Sequence, residues 1–156
     1  MSLTGAARAA APQPIRDAGR RKADVLDTLV NSGQVWLATG GASGAHMVPL
    51  GCVWDGAHLV MATRERHRTV RNLRENHLAR AAFGDPADVV LMDGPVEIVP
   101  PDGLPSGVAV PPGLPLDPAR VPGCVYLFLT PRRVLAWRHR GEIPDRTLMR
   151  DGRWLA

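Results

Sequence analysis

Residues Ala57 to Gly84 read AHLVMATRERHRTVRNLRENHLARAAFG. The apolar run His58-Leu59-Val60-Met61-Ala62-Thr63 predicts a strand, and Arg64-Glu65-Arg66-His67-Arg68 a basic turn. Thr69 to Asn76 predicts a short helix, with Val70 and Leu73 spaced to share one face. Leu78 to Phe83 then returns to a strand composition. The charge is unusual. Arg64, Arg66, Arg68 and Arg71 crowd the start of that helix, where free N–H groups and the helix dipole are already positive. An anion would relieve the crowding, and a phosphate suits backbone N–H groups, a threonine hydroxyl and guanidinium groups together. A solvated basic turn and a nucleic-acid contact through the same arginines are the competing readings.

Upstream, Gln34 to Thr39 predicts a strand, and Gly40-Gly41-Ala42-Ser43-Gly44 a turn onto a second strand at Ala45–Trp54. Asp55-Gly56 is a strong hairpin signal leading into His58–Thr63. Three strands therefore form a meander before the basic turn. Pro49 lacks an N–H, which implies an edge, a bulge or a ligand approaching the backbone. Asp24 to Asn31 fits a short helix with Val25, Leu26, Leu29 and Val30 on one stripe and Gly33 as its stop. Residues 1–22 show no periodic apolar face and read as a basic Ala/Pro-rich arm, leaving 23–156 as one domain. Its charges, Arg8, Arg16, Arg20, Arg21 and Lys22, read as a solvated tail or as aids to an anionic ligand.

Downstream, Asp88–Met92 and Val96–Val99 predict a fifth strand with a bulge at Asp93-Gly94. Pro100 to Gly123 is too dense in proline and glycine for a regular element, save one helical turn near Asp117–Arg120. Val125–Thr130 and Arg133–Arg138 predict the last strands, bent at Pro131. The tail from Gly141 to Ala156 alternates in charge. The whole predicts a mainly β, barrel-like domain of six or more short antiparallel strands with short helices.

At 156 residues with 45% apolar and 22% charged residues, the chain suits one globular domain with a real core. No apolar run approaches the ~18–20 residues that span a bilayer, and the N-terminus lacks the apolar centre of a secretory signal, so a cytoplasmic placement is expected. The net charge is +4, and of 19 basic residues only Lys22 is a lysine. Arginine suits bidentate recognition of phosphate and carboxylate, and it also accompanies a GC-rich genome. Cys52 and Cys124 lie apart in apolar surroundings and read as buried thiols, with no cluster at metal-ligand spacing.

The ordered series QVWLATG, HMVPLGCVWDGAHLVMAT, RTVRNLREN, DVVLMDGPVEIV, FLTPRRVLAWR and RTLMRDGRWL resembles the pyridoxamine 5'-phosphate oxidase-like family of flavin- and deazaflavin-binding split barrels. The resemblance runs from about Val25 to Trp154. It implies a homodimeric split β-barrel with cofactor sites at the dimer interface. It also implies that the cofactor phosphate lies by Thr63, Arg64, Arg68 and Thr69, and that the ring lies along Val48, Pro49, Leu50, Met61 and Ala62. Trp137 and Arg138 resemble a C-terminal segment that approaches the partner's cofactor. His67 stands where close relatives are expected to carry serine, and would either donate to the phosphate or exclude one cofactor. The C-terminal residues do not reproduce the substrate pattern of true pyridoxamine phosphate oxidases.

FMN and coenzyme F420 both remain open as cofactors; the arginines Arg64, Arg66 and Arg71 would suit the longer anionic tail of F420. The resemblance implies an oxidoreductase that transfers hydride to or from a small conjugated molecule, with the chemistry carried by the cofactor. No catalytic side chain is assigned, because Ser43 and Ser106 lack a neighbouring base and His46 and His58 read as strand residues. The alternatives are a non-catalytic cofactor carrier or sensor, and a nucleic-acid-binding barrel. The last lacks the aromatic residues that stack bases in single-strand binders.

Overall fold

Among the described residues there are nine strands: β1 (Gln34–Gly41), β2 (Gly44–Trp54), β3 (Leu59–Arg64), β4 (Leu78–Phe83), β5 (Val89–Val99), β6 (Cys124–Leu129), β7 (Arg133–Trp137), β8 (Thr147–Arg150) and β9 (Arg153–Trp154); β1 and β4 alternate in burial, whereas β3 and β6 are apolar and buried almost throughout. The helices are α1 (Ala18–Asn31) and α2 (Arg68–Glu75), with 3-10 turns at Pro101–Gly103 and Arg140–Asp145. This computed structural model describes residue 11 and residues 13–156. All of its strand pairings are antiparallel.

Six strands close into a ring in the order β1-β2-β3-β6-β5-β4, because β4 pairs with both β5 and β1. β7, β8 and β9 extend the sheet outward from β5. β5 is long enough to serve three neighbours: Val90–Pro95 pair with β4, Val96–Val99 with β6 and Val89–Asp93 with β7. The expected bulge at Asp93-Gly94 is therefore absent, and the strand runs through it. The glycine has another cause. A Cβ at Gly94 would collide with the backbone carbonyl of Thr130, so the chain crosses there only if residue 94 has no side chain.

The barrel interior holds Leu37, Leu59, Met61, Met92, Leu127 and Leu129, none exposed to solvent, and Val134 of β7 belongs to the same buried core. On α2, Val70 and Leu73 are buried as the spacing predicts, and their burial contributes about 3–6 kcal/mol. Buried Asn72 reaches from α2 to β1, donating from Nδ2 to Thr39 Oγ1 at 3.1 Å. The proline-rich segment 100–123 lies over the outer face of β3 and β6. There Leu104, Val110 and Leu114 cover Val60, Tyr126 and Phe128. The turn expected near Asp117–Arg120 is formed, with Arg120 N–H and Val121 N–H both donating to Asp117 O.

At the N-terminus the structure departs from expectation. α1 begins at Ala18 rather than Asp24, capped by the Asp17 carboxylate accepting from Arg20 N–H at 2.7 Å. Part of the segment read as an arm is thus helix; residues 1–10 and 12 of that arm lie outside the described residues. Arg16, read as a tail charge, is buried against Glu142: Nε and Nη2 donate to its two carboxylate oxygens at 3.1 and 2.9 Å. Arg16 Nη1 also reaches Asp24 at 2.8 Å. Burial alone would raise the Glu142 carboxyl, but Arg16 and the backbone N–H groups of Arg16 and Arg138 outweigh it and hold the pKa at about 2. Arg21 is also buried, donating to Asp145 O at 2.8 Å. No helix of the described residues is long and apolar enough to cross a membrane.

Candidate functional site

The barrel is open along one seam. β3 pairs with β6 over its whole length, Leu59↔Leu129 to Arg64↔Cys124. On its other side it pairs with β2 only at Cys52↔Met61, Val53↔Val60 and Trp54↔Leu59. Beyond Cys52, β2 follows β1 alone, from Gln34↔Gly51 to Gly41↔Gly44. Pro49 sits on this unpaired side. Cys52 N–H bonds Gly33 O toward β1, and since backbone groups alternate along a strand, the nitrogen of residue 49 points into the seam. Proline removes no ladder bond there, so its edge reading holds.

The start of α2 fills the far end of the seam, leaving a cleft of about 410 Å3 between helix and strand. His46, Val48, Pro49 and Leu50 of β2 form one wall, and His67, Arg68 and Thr69 the other. His67 is the N-cap of α2, but its side chain does not cap. Nδ1 lies 3.0 Å from Thr63 Oγ1 instead. The first turn carries no acidic residue, and among the described residues the N–H groups of Arg68 and Thr69 have no acceptor. Arg68 is half-buried and reaches back to donate from Nη2 to Ser43 O at 3.2 Å. Its Nε is buried and has no partner among the described residues. Three donors are thus left over at one mouth, in a site with positive helix-end potential and no carboxylate.

The structure brings together six of the expected site residues, Val48, Pro49, Leu50, His67, Arg68 and Thr69. It separates the others. Met61 is fully buried inside the barrel, and Ala62 is 6% exposed on a strand covered on both faces, so neither side chain lines the cleft. The Thr63 hydroxyl is buried and committed to His67. Arg64, Arg66 and Arg71 are exposed and outside the cleft, so Arg68 is its one arginine among the described residues. Trp137 lies outside it too, under Arg146, whose guanidinium carbon is 5.8 Å from the ring centroid. His46 was missed. It shares the alternation of Val48 and Leu50 and so faces the same way, a signal readable from the strand period.

The proline-rich segment reaches the rim. A Cβ at Gly51 would collide with the ring of Pro115, so Pro115 closes on β2 one residue beyond Leu50. Cys52, next along β2, is buried, and burial pushes its thiol up to about 11, which keeps it unreactive at neutral pH. Among the described residues no three His, Cys, Asp or Glu side chains converge as metal ligands. Both cysteines are free and buried.

A family model described as pyridoxamine 5'-phosphate oxidase matches residues 22–137. Among solved structures, the conserved hypothetical protein Rv2991 from Mycobacterium tuberculosis superposes with a TM-score of 0.60 at 23% identity, over 76% of this chain and 85% of that one. A protein described as an F420 reductase superposes with a TM-score of 0.53 at 22% identity, over 69% and 93%. A pyridoxamine 5'-phosphate oxidase-related, FMN binding protein from Nostoc punctiforme gives 0.54 at 18%, over 82% and 89%. These likenesses show the fold. No curated protein matches the chain.

Proposed function

Because the chain belongs to the pyridoxamine 5'-phosphate oxidase family, we propose that it is an oxidoreductase that anchors the phosphate of FMN or of coenzyme F420 at the start of α2. The buried, unpartnered Nε of Arg68 beside the unused N–H groups of the first turn carries this reading. A phosphate oxygen satisfies such donors together, and each charge-assisted bond contributes about 1.5–3 kcal/mol. Both cofactors offer that group, and the neighbours described as an F420 reductase and as an FMN binding protein are compatible with either.

Arg68 and the Thr69 N–H hold the anion. His67, fixed by Thr63, keeps its ring at the mouth with Nε2 turned from that bond. Val48, Pro49 and Leu50 supply an apolar wall for a flat ring, in place of the wider set that included Met61 and Ala62. When bound, the cofactor supplies hydride transfer to or from a small conjugated substrate. A second copy of the chain completes the site. The outer faces of β1 and β2 support this, since Trp36 and Met47 are 47% and 59% exposed and Trp36 pairs with Pro49 at the cleft rim.

The purified chain is titrated with FMN and, separately, with F420, followed by flavin or deazaflavin fluorescence. Micromolar or tighter binding of one supports the reading and names the cofactor. Binding of neither, with salt-dependent retention of oligonucleotides instead, refutes it. Substrate-dependent reoxidation of the reduced complex then separates an enzyme from a carrier.

A further inference from the structure

A second pocket, of about 220 Å3, lies at the other end of β3. His58 precedes the strand by one residue and Thr63 is five residues further on, so the two sites stand about 16 Å apart along the chain. Asp55 and His58 of the β2–β3 turn form one side, and Glu97 of β5 another. Phe128 of β6, with Leu104 and Val108 of the proline-rich segment, provides the apolar remainder.

The polar side is organised. Asp55 Oδ1 accepts the N–H groups of Ala57 and His58, and Oδ2 lies 2.9 Å from His58 Nδ1. Asp55 thereby uses three of its acceptor sites. Its carboxylate takes the Nδ1 proton of the imidazole, and in the neutral ring Nε2 is then an acceptor. The same ring stands edge-on to Phe128, with centroids 5.9 Å apart. Glu97 is exposed, and among the described residues its carboxylate has neither a hydrogen bond nor an ion pair. In a chain of net charge +4, no Lys or Arg among the described residues lines this pocket. Two carboxylates, one imidazole acceptor and an aromatic ring favour a cation and repel an anion.

We propose that this pocket binds a small hydrophobic amine, its ammonium group between Glu97 and His58 Nε2 and its apolar body against Phe128, Leu104 and Val108. The volume is below the ~300–1,000 Å3 of sites for drug-sized molecules, so the ligand is a single ring or a short chain. The site is separate from the cofactor cleft and does not depend on which cofactor, if any, is held there.

The test uses the full chain without added cofactor, at pH 8, and phenethylamine, 2-phenylethanol and phenylacetate as probes of one shape and three charges. Amide NMR titration is expected to show saturable shifts from the amine at Glu97, Leu104, Val108 and Phe128, weaker shifts from the alcohol and none from the carboxylate. Glu97→Gln, on an exposed side chain, is expected to weaken the amine about three- to fivefold. His58→Phe keeps a ring beside Phe128 and removes Nε2, and is expected to weaken it also. Equal binding of the three probes, amine shifts elsewhere, no saturable binding at millimolar concentration, or an unchanged affinity in Glu97→Gln overturns the proposal.

Discussion

Arg68→Ala separates the two roles this side chain could have. In the free protein, the half-buried Arg68 side chain makes one hydrogen bond among the described residues, from Nη2 to Ser43 O at 3.2 Å, and that bond is open to solvent. Losing that bond costs no more than about 1 kcal/mol of stability. With a phosphate in the cleft, the charged Nε–H gains the acceptor it otherwise lacks. Its loss then costs about 1.5–3 kcal/mol of binding, which is about tenfold to about 150-fold in dissociation constant. The assay is fluorescence titration of the wild-type and variant proteins with the bound cofactor, alongside a thermal melt. Arg68→Lys retains the charge and loses the Nε–H fork, so an intermediate affinity is expected. Arg66→Ala, exposed and outside the cleft, is the control and should shift binding by less than about 0.5 kcal/mol. Equal losses in Arg66→Ala and Arg68→Ala would mean that a diffuse positive field, not the cleft, holds the anion. An unchanged affinity in Arg68→Ala would move the phosphate elsewhere.

Four further outcomes are expected. The Glu142 carboxyl is held at about 2, against an ordinary value of 4.5. Its contribution to stability is therefore complete above about pH 4.5 and is lost as pH falls towards 2, so acid unfolding followed by circular dichroism should be displaced in Glu142→Gln. Glu142→Ala removes the bidentate partner of the buried Arg16 guanidinium, which keeps its Nη1 contact with Asp24, and should cost about 3–5 kcal/mol in denaturant melts. Gly94→Ala drives a methyl group into the Thr130 carbonyl, and should cost at least the ~1–3 kcal/mol of an overpacked site, read from its melting temperature. On the proposed second copy, Met47→Asp places a charge on the exposed β1–β2 face and should halve the mass measured by light scattering; a dimer that survives it would place the interface elsewhere, and a monomeric parent chain would refute the second copy.

The strand–turn–helix–strand run from Leu59 to Phe83 was legible because its signals are local. Strand ends, the Val70–Leu73 face and the helix start all fall within a residue or so of their expected places. The wall formed by Val48, Pro49 and Leu50 was legible through the family resemblance and through the oddity of Pro49. What failed to show was long-range. Arg16 looks like a tail charge until Glu142, 126 residues away, takes its guanidinium. Met61 and Ala62 look available until β6 and the barrel interior claim one side of β3 and the proline-rich segment the other. That segment has no period, so nothing local announces that Pro115 rests on Gly51. Asp93-Gly94 reads as a bulge by composition, and only the crossing chain at Thr130 explains the glycine otherwise.

The most direct measurement is a crystal structure of the chain grown with whichever cofactor it binds. The phosphate is expected within hydrogen-bonding distance of Arg68 Nε and the Thr69 N–H, with the ring along Val48 and Leu50. A cofactor seated away from the β2–α2 seam, with the Arg68 guanidinium still turned to Ser43 and its Nε without an acceptor, would contradict it.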